Sequence, residues 1–498
     1  MLRHRSRSLF AAALAVPLLA APAAPAAAAS PAPPARVSGA SPFAACTVDE
    51  FPGDAYTLDT EAEPTLAIDP ADPRRRVVGW QQDRWAYGSA RGMVTAVTAD
   101  GGRSWRQVTP PLTLCSGGPY GRITNPWLTF GPDGRLYATA MVAGVAPLTT
   151  GVAVLTSGDG GRSWSAPVEV ASDPMTGYFH DKPALTVDPR HPRRAYLVWN
   201  RHGKTDQTHD LLFSRTTDGG RTWEPARSVH RPPVGDGTIG NQIVVLPDGT
   251  LLNLFHEGPF APGGAAATAA PAPAAADGPE LLRVMRSADG GTTWSAPATI
   301  AATELGVPVL PGTATPIVGA SLVPDAAVDA RGRVYLVWND ARLSESRSAV
   351  ALTSSSDGGR TWTPPRRVNG TPDSPPGGPG QTFTPQIDAA PDGTLAVTYY
   401  DLRDDTDAPG ASTAHWIATC DGPGCAYGRG FREQRLGGPF DLDKAFRWFG
   451  GPYLGSYTGL AHTRGGFVSA FAMSGERAGD PQDVYVRGVE CAERCHVR

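Results

Sequence analysis

One eight-residue motif occurs five times in this chain of 498 residues. It reads Ser/Thr-x-Asp-Gly-Gly-x-Ser/Thr-Trp. The aspartate can accept hydrogen bonds from the amides of a tight turn, and the two glycines can adopt positive φ. We therefore predict that each copy closes a β-hairpin, that the tryptophan packs on it, and that the aspartate is structural rather than chemical. The copies are Thr98–Trp105, Ser157–Trp164, Thr216–Trp223, Ser287–Trp294 and Ser355–Trp362.

The spacing of the copies predicts a repeat architecture. Their aspartates are 59, 59, 71 and 68 residues apart, a period typical of a four-stranded propeller blade. A strand-turn-strand pattern also recurs seven times, at 63–80, 125–141, 182–199, 241–255, 325–338, 384–400 and 457–473. We predict an all-β fold, a β-propeller of four-stranded antiparallel blades, with seven blades favoured and six as the alternative. The last unit lacks a clear fourth strand, which residues 46–56 could supply.

The chain divides into regions of different composition. Residues 1–29 have a basic start, a short apolar run and a small-residue cleavage site, which predicts a secretory signal peptide. Residues 30–45 are rich in proline and alanine and are predicted to be disordered. The propeller is predicted over 46–498, with a low-complexity loop insertion at 261–278.

Six cysteines in an exported chain indicate disulfide bonds. Sequence alone does not fix their pairing. The close pairs Cys420/Cys425 and Cys491/Cys495 suit local bonds, which leaves Cys46 and Cys115 for each other.

Composition argues against several classes of partner. Charged residues make up 18% of the chain and the net charge is −4, without the basic stripe of a nucleic-acid-binding protein. No later segment approaches the roughly 20 apolar residues of a membrane span. The acidic run 401–407 lacks the glycine and terminal glutamate of a calcium loop. We therefore expect a secreted, extracellular monomer with no cofactor or metal, no nucleic-acid partner and no membrane span.

The repeated motif resembles the Asp-box, or BNR repeat, of the sialidase (neuraminidase) superfamily, and the resemblance covers nearly the whole mature chain. It implies a glycoside hydrolase that cleaves terminal acidic sugars from extracellular glycans. In that family three arginines clamp the substrate carboxylate, an aspartate is the general acid, and a tyrosine activated by a glutamate is the nucleophile. A tyrosine starts neutral, so the substrate carboxylate does not repel it.

The resemblance assigns catalytic roles to individual residues. Tyr457, in Tyr-Thr-Gly-Leu, is similar to the family's Tyr-Ser-x-Leu and is the expected nucleophile. Glu257, at the end of a mid-chain strand, is its expected partner. Gln-Asp-Arg at 82–84 is similar to the family's Glu-x-Arg, which makes Asp83 a candidate acid. Asp181 is a second candidate acid.

The expected substrate-binding residues are arginines, whose fork binds a carboxylate through two hydrogen bonds. Arg84 follows from the Glu-x-Arg resemblance. Where the family has Arg-Ile-Pro, this chain has Ala-Glu-Pro at 62–64, so Arg122 is the replacement, two residues out of register. Arg342 and Arg403 follow the second strands of two later units, where salt bridges between blades are the alternative role.

Two other functions remain open. One is a glycosidase that acts on a neutral polysaccharide with two carboxylates, Asp83 together with Asp340 or Asp401. The other is a non-catalytic propeller that binds glycans or proteins, which the missing Arg-Ile-Pro pattern favours.

Overall fold

The computed structural model describes residues 33–48, 56–86, 88–205, 208–259, 280–321, 323–475, 477, 479–491 and 495–497. The predicted signal peptide and the predicted insertion at 261–278 lie outside these residues. The described chain consists of β-strands and short 3-10 helices, so the prediction of an all-β fold is confirmed. No helix within these ranges is long and apolar enough to cross a membrane. The 3-10 helices include Leu114–Ser116, Ala341–Leu343, Cys425–Tyr427 and Leu442–Lys444.

Successive antiparallel strands form repeated groups, which we call units 1 to 7. Strand β1 (Ala35–Arg36) precedes them. Unit 1 contains β2 (Tyr56–Ile68), β3 (Arg76–Trp85), β4 (Ala90–Thr98) and β5 (Arg106–Val108). Unit 2 contains β6 (Arg122–Phe130), β7 (Leu136–Ala143), β8 (Thr149–Ser157) and β9 (Val168–Pro174).

Units 3 to 6 are four separate four-stranded antiparallel sheets. Unit 3 contains β10 (Tyr178–Val187), β11 (Ala195–Gly203), β12 (His209–Thr216) and β13 (Arg227–His230). Unit 4 contains β14 (Asp236–Val245), β15 (Leu251–Pro259), β16 (Glu280–Ser287) and β17 (Ala298–Thr303). Unit 5 contains β18 (Asp325–Val328), β19 (Val334–Asp340), β20 (Ala349–Ser355) and β21 (Arg366–Arg367). Unit 6 contains β22 (Thr382–Ala389), β23 (Leu395–Asp401), β24 (Ser412–Cys420) and β25 (Arg432–Asp441).

A small hairpin of β26 (Arg447–Trp448) and β27 (Gly451–Pro452) separates unit 6 from unit 7. Unit 7 contains β28 (Gly459–Thr463), β29 (Gly466–Ser474) and β30 (Gln482–Cys491), and β31 (Cys495–Val497) follows. Both β1 and β31 pair with the outer edge of β30. The N-terminal segment thus contributes to the last unit through residues 35–36. Most of the expected range 46–56 lies outside the described residues.

The segment before β2 contacts units 1 and 7. Two apolar side chains, Val37 and Phe43, are buried in one hydrophobic cluster with Trp80 of β3 and Val486 of β30. Arg36 also forms an ion pair with Asp483. These contacts hold the segment against the sheets.

The first strands of the units contact one another in order. Each contacts the first strand of the next unit, and β28 of unit 7 contacts β2 of unit 1. Units 7 and 1 are also joined where Gln482 of β30 pairs with Thr60 of β2. Hydrophobic clusters lie between neighbouring units, as where Val77 and Met93 of unit 1 pack with Leu128 of unit 2. This arrangement is consistent with a β-propeller.

The five repeated motifs form the predicted turns. In Thr216–Trp223, Asp218 accepts hydrogen bonds from the hydroxyl of Thr216 (2.8 Å) and from the amide and hydroxyl of Thr222 (3.1 and 2.6 Å). Gly219 and Gly220 have positive φ. Desolvation opposes the effect, but these hydrogen bonds lower the pKa of Asp218 to about 2. The aspartate therefore stabilises the turn as a carboxylate.

The disulfide pairing is the expected one. Bonds join Cys46 to Cys115, Cys420 to Cys425, and Cys491 to Cys495.

Candidate functional site

A repeated β-bulge lies near the start of the first strand in several units. Strand register shifts there in units 1, 2, 3, 4 and 6. In four of these bulges a residue other than glycine has positive φ and is followed by proline. A bulge redirects a side chain, and positive φ in such residues is a mark of functional or strained sites. The four residues are Glu63, Asn125, Lys182 and Thr384, with φ of 53°, 53°, 48° and 53°.

Three of these redirected side chains meet. The Nζ of Lys182 donates hydrogen bonds to Oε1 of Glu63 (2.6 Å), to Oδ1 of Asn125 (2.9 Å) and to Oγ of Ser456 (3.1 Å). We call these four residues, together with Tyr453 and Tyr457, the central cluster. Four units therefore contribute to one polar cluster, either from their first strands or, for unit 7, from the residues just before β28.

The two tyrosines of the central cluster share the carboxylate of Glu63. The hydroxyl of Tyr453 donates to Oε1 of Glu63 (2.8 Å), and that of Tyr457 lies 3.5 Å from Oε2. The hydroxyl of Tyr457 also donates to the carbonyl of Pro126 (2.7 Å), and its ring packs edge-on against Trp127.

The expected pairing of Tyr457 with Glu257 is not formed. Glu257 instead contacts Nε2 of His230 (2.5 Å) and Nε of Arg283 (3.4 Å). His230 lies at the end of unit 3, and Arg283 lies in unit 4. Glu63 takes the place beside Tyr457. Glu63 lies where the sialidase pattern has Arg-Ile-Pro, and the sequence signal for it is a proline that follows the same position in four first strands.

The surroundings of the central cluster favour an ionised Glu63 beside a protonated Tyr457. Desolvation alone would raise the pKa of Glu63, but the charge and hydrogen bond of Lys182 outweigh it and hold that pKa below its ordinary value. Burial, with the charge of Glu63, raises the pKa of Tyr457 well above its ordinary value. Burial also raises the pKa of Asp181, against the charge of Lys182. Glu63 is thus the anion, and Tyr457 is protonated.

The two candidate acids lie in different surroundings. Asp181 touches the central cluster, since its Oδ1 accepts a hydrogen bond from Nδ2 of Asn125 (2.7 Å). Asp83 instead accepts hydrogen bonds from the hydroxyl of Ser41 (2.6 Å) and the amide of Asp59 (2.9 Å). The contacts of Asp83 therefore hold the N-terminal segment.

Arg84 is linked to Glu63 of the central cluster through one intervening side chain. Its guanidinium donates to Gln81, which in turn donates to Glu63. The guanidinium also lies 4.6 Å from the ring centre of Tyr453 and 4.9 Å from that of Trp448.

Arg122 lies in a different place. Its guanidinium lies 4.1 Å from the ring centre of Trp85, at the end of β3.

Arg342 and Arg403 form salt bridges in units 5 and 6 instead of joining a clamp. Arg342 binds Asp340 (2.6 Å) and donates to the carbonyl of Ala302 in unit 4 (2.6 Å), so it joins two units. Arg403 binds Asp401 (2.5 Å) and Glu433 (2.8 Å). In both cases an aspartate two residues earlier lies within reach of the guanidinium. The same salt bridges engage Asp340 and Asp401, the two aspartates that the neutral-polysaccharide alternative pairs with Asp83.

Two connecting segments cover the central cluster. Residues 442–456, which we call the cap segment, place Phe446 and Trp448 against Arg84. The second segment, residues 304–321, joins the cap segment where the amide of Val318 donates to the carbonyl of Pro452 (2.9 Å). The side chain of Glu63 is fully buried and Tyr457 is 4% exposed.

A small cavity lies beside the central cluster. Trp127, Lys182, Asp325 and Tyr457 help to line its volume of about 20 Å³. That volume holds about one water molecule. The cavity is too small for a sugar ring.

Comparison with known proteins supports the fold. No model of a known protein family matches the sequence, and no curated protein matches it. An ulvan lyase structure has a TM-score of 0.50 and 12% identity over 89% of this chain and 97% of that chain. The Hadza microbial sialidase Hz136 has a TM-score of 0.47 and 14% identity over 84% of this chain and 76% of that chain. An α-L-arabinofuranosidase from Fusarium graminearum has a TM-score of 0.46 and 12% identity over 88% and 98%. At these identities the likeness to the ulvan lyase concerns the fold alone.

Proposed function

We propose that this protein is an exported, seven-bladed β-propeller that cleaves terminal acidic sugars from glycans by sialidase-type chemistry. Units 1 to 7 are its blades. The observation that carries the proposal is the meeting of Tyr457 with the carboxylate of Glu63 in a buried polar cluster to which four units contribute. Buried charged groups with shifted pKa values mark candidate active sites. Three disulfide bonds suit an oxidising extracellular location.

Each group has a defined role in this proposal. The oxygen of Tyr457 attacks the anomeric carbon while its proton passes to Glu63, and Asp181, whose raised pKa favours the acid form, protonates the leaving oxygen. Water then attacks the tyrosyl-sugar intermediate and gives a proton to Asp181, while Glu63 returns its proton to Tyr457. Lys182 and Arg84 are the cations for the substrate carboxylate, in place of three arginines.

The proposal requires the cap segment to move. Opening would admit water and substrate to Tyr457. Because burial raises the pKa of Tyr457, exposure to water would lower that pKa towards its ordinary value. Segments that open over an active site also exclude water once the substrate is bound.

A fluorogenic sialoside tests the proposal. The wild type should release 4-methylumbelliferone from it, and Tyr457→Phe and Glu63→Gln should each lower kcat/KM at least about 100-fold, since nucleophile and base contribute at least this much. Tyr427→Phe is the matched control, because Tyr427 is 53% exposed and far from these contacts. Thermal melts would show that every variant is folded. Full activity in Tyr457→Phe would contradict the assigned role.

A second candidate function is non-catalytic glycan binding. The specific observation in its favour is that Glu63 and Tyr457 are buried and that Arg342 and Arg403 are already paired. Under this alternative the wild type binds immobilised acidic glycans without turnover, and Tyr457→Phe leaves that binding unchanged. Glycan binding and product release measured on the same preparation separate the two functions.

A further inference from the structure

Three carboxylates from opposite ends of the chain meet where unit 7 joins unit 1. Glu61 belongs to β2, Asp483 belongs to β30, and Asp480 lies just before β30. One oxygen atom from each of the three lies within 4.8 Å of the others. The fold has thus brought three carboxyl groups together at the seam between its first and last units.

The carboxylate of Glu61 is buried and only half satisfied. Its side chain is 0% exposed, and its Oε1 accepts a hydrogen bond from Nε2 of Gln82 (2.7 Å). Its Oε2 is buried and has no hydrogen-bond partner among the described residues. The same is true of Oδ1 of Asp480. A buried carboxylate oxygen without a hydrogen-bond partner lowers the stability of the folded state, so these two oxygens indicate a binding site for a ligand.

The described cations do not balance the charge. Arg36 lies 3.1 Å from Asp483 and 3.9 Å from Asp480. Arg477 lies 3.7 Å from Asp480, but its side chain is 66% exposed and contributes little through solvent. Glu61 has neither arginine as an ion-pair partner among these contacts. Negative charge therefore remains at the seam.

We propose that Glu61, Asp480 and Asp483 bind one Ca²⁺ ion. Calcium binds six to eight oxygen ligands at roughly 2.3–2.6 Å, so two oxygens on one ion lie at most about 5 Å apart. The three carboxylate oxygens meet that limit, and water supplies the remaining ligands. The ligand set contains only oxygen, which suits a hard cation rather than zinc. Three direct carboxylates suit calcium better than magnesium, which keeps several of its waters.

The ion would join the first and last units of the ring. Because β2 also carries Glu63, two residues beyond Glu61, the ion fixes the strand that holds the central cluster. The proposal does not depend on the catalytic activity of that cluster. The sequence offered no sign of the site, since its ligands lie in segments that carry no calcium-loop pattern.

Metal removal and return test the site. Mature full-length protein is treated with EGTA, dialysed, and melted with or without 1 mM CaCl₂ or MgCl₂. We expect one Ca²⁺ per chain by titration calorimetry and a rise in Tm of at least about 5 °C with calcium, because a ligand that binds only the folded state stabilises it. Magnesium should give less than half that rise. No bound calcium and no rise in Tm would overturn the proposal.

A charge-removing variant localises the effect. In Glu61→Gln the calcium affinity should fall at least 10-fold, and the variant in EGTA should melt at or above the wild type because a buried charge is gone. Asp407→Asn is the control, since Asp407 is exposed and should keep the full rise in Tm. If Glu61→Gln does not fold, Asp480→Asn at the partly buried edge gives the same comparison. A full calcium response in a folded seam variant would overturn the proposal.

Discussion

At the residue scale, the interior of this protein holds several ionisable groups whose protonation depends on their neighbours. Asp325 is one of them. It lines the cavity beside Lys182 and Tyr457, and its Oδ2 accepts a hydrogen bond from the amide of Ile387 (2.7 Å). Burial raises the pKa of Asp325 from 3.8 to about 7, despite that hydrogen bond. The folded protein therefore holds this aspartate as a neutral acid over a pH range in which the unfolded chain ionises it.

This difference predicts a pH dependence of stability. The stabilisation from protonated Asp325 is complete below about pH 4, falls by up to about 1.4 kcal/mol for each pH unit as the pH rises, and levels off above about pH 7. Asp325→Asn should remove this slope, so its stability relative to the wild type should increase from pH 4 to pH 7. Urea melts at four pH values measure it. Asp404→Asn, at an exposed position, is the control, and parallel curves for wild type and Asp325→Asn would contradict the assignment.

At the element scale, the cap segment depends on a close approach of two backbones. Gly455 has φ of 123°, and a Cβ atom there would lie 2.6 Å from the backbone nitrogen of Glu63. The amide of Glu63 in turn donates to the carbonyl of Leu454 (3.2 Å). Glycine at this position allows the end of the cap segment to lie directly on β2, which places Ser456 and Tyr457 in the central cluster.

Substitution of this glycine should displace the cap segment. Gly455→Ala should lower the free energy of unfolding by more than about 2 kcal/mol, because the added methyl meets backbone atoms as well as an unfavourable φ. Gly450→Ala is a matched control in the same segment, since φ is 85° there and a Cβ atom would meet nothing within 4 Å. We expect the control to lose only about 1 kcal/mol. Equal losses by chemical denaturation would show that the close approach does not matter.

At the scale of the whole molecule, contacts join the two ends of the described chain. Strand β1 pairs with β30, Arg36 binds Asp483, and the bond between Cys46 and Cys115 fixes the N-terminal segment to the connection between units 1 and 2. The disulfide therefore holds in place a segment that belongs in part to the last unit.

Loss of this bond should destabilise the protein more than loss of a local one. Cys46 and Cys115 are 69 residues apart, and closing a loop of that length contributes about 4 kcal/mol in the chain-entropy account. Cys420 and Cys425 are five residues apart, for which the same account gives about 2 kcal/mol. The paired serine variants Cys46→Ser/Cys115→Ser and Cys420→Ser/Cys425→Ser can be compared by guanidinium melts. A larger loss for the local pair would contradict this order.

Much of the architecture was predictable from sequence, because it depends on local patterns. The Asp218 turn requires only its own eight residues, and the disulfides within units follow from short spacings. The site was less predictable, because Glu63 meets Lys182 and Tyr457 only through folding. Glu63 also lies within the stretch where the sialidase pattern has Arg-Ile-Pro, so the resemblance itself gives Glu63 no role. The sequence allowed Arg342 either to bind a substrate carboxylate or to form a salt bridge. The folded position of Asp340, 2.6 Å from Arg342, places it in a salt bridge.

The pairing of β1 with β30 sets the order in which this protein can fold. Arg36 is synthesised 447 positions before its partner Asp483, so the edges of the first and last units stay open until nearly all of the chain has been made. Open strand edges pair readily with other chains. A truncated or stalled product would therefore expose these edges and aggregate.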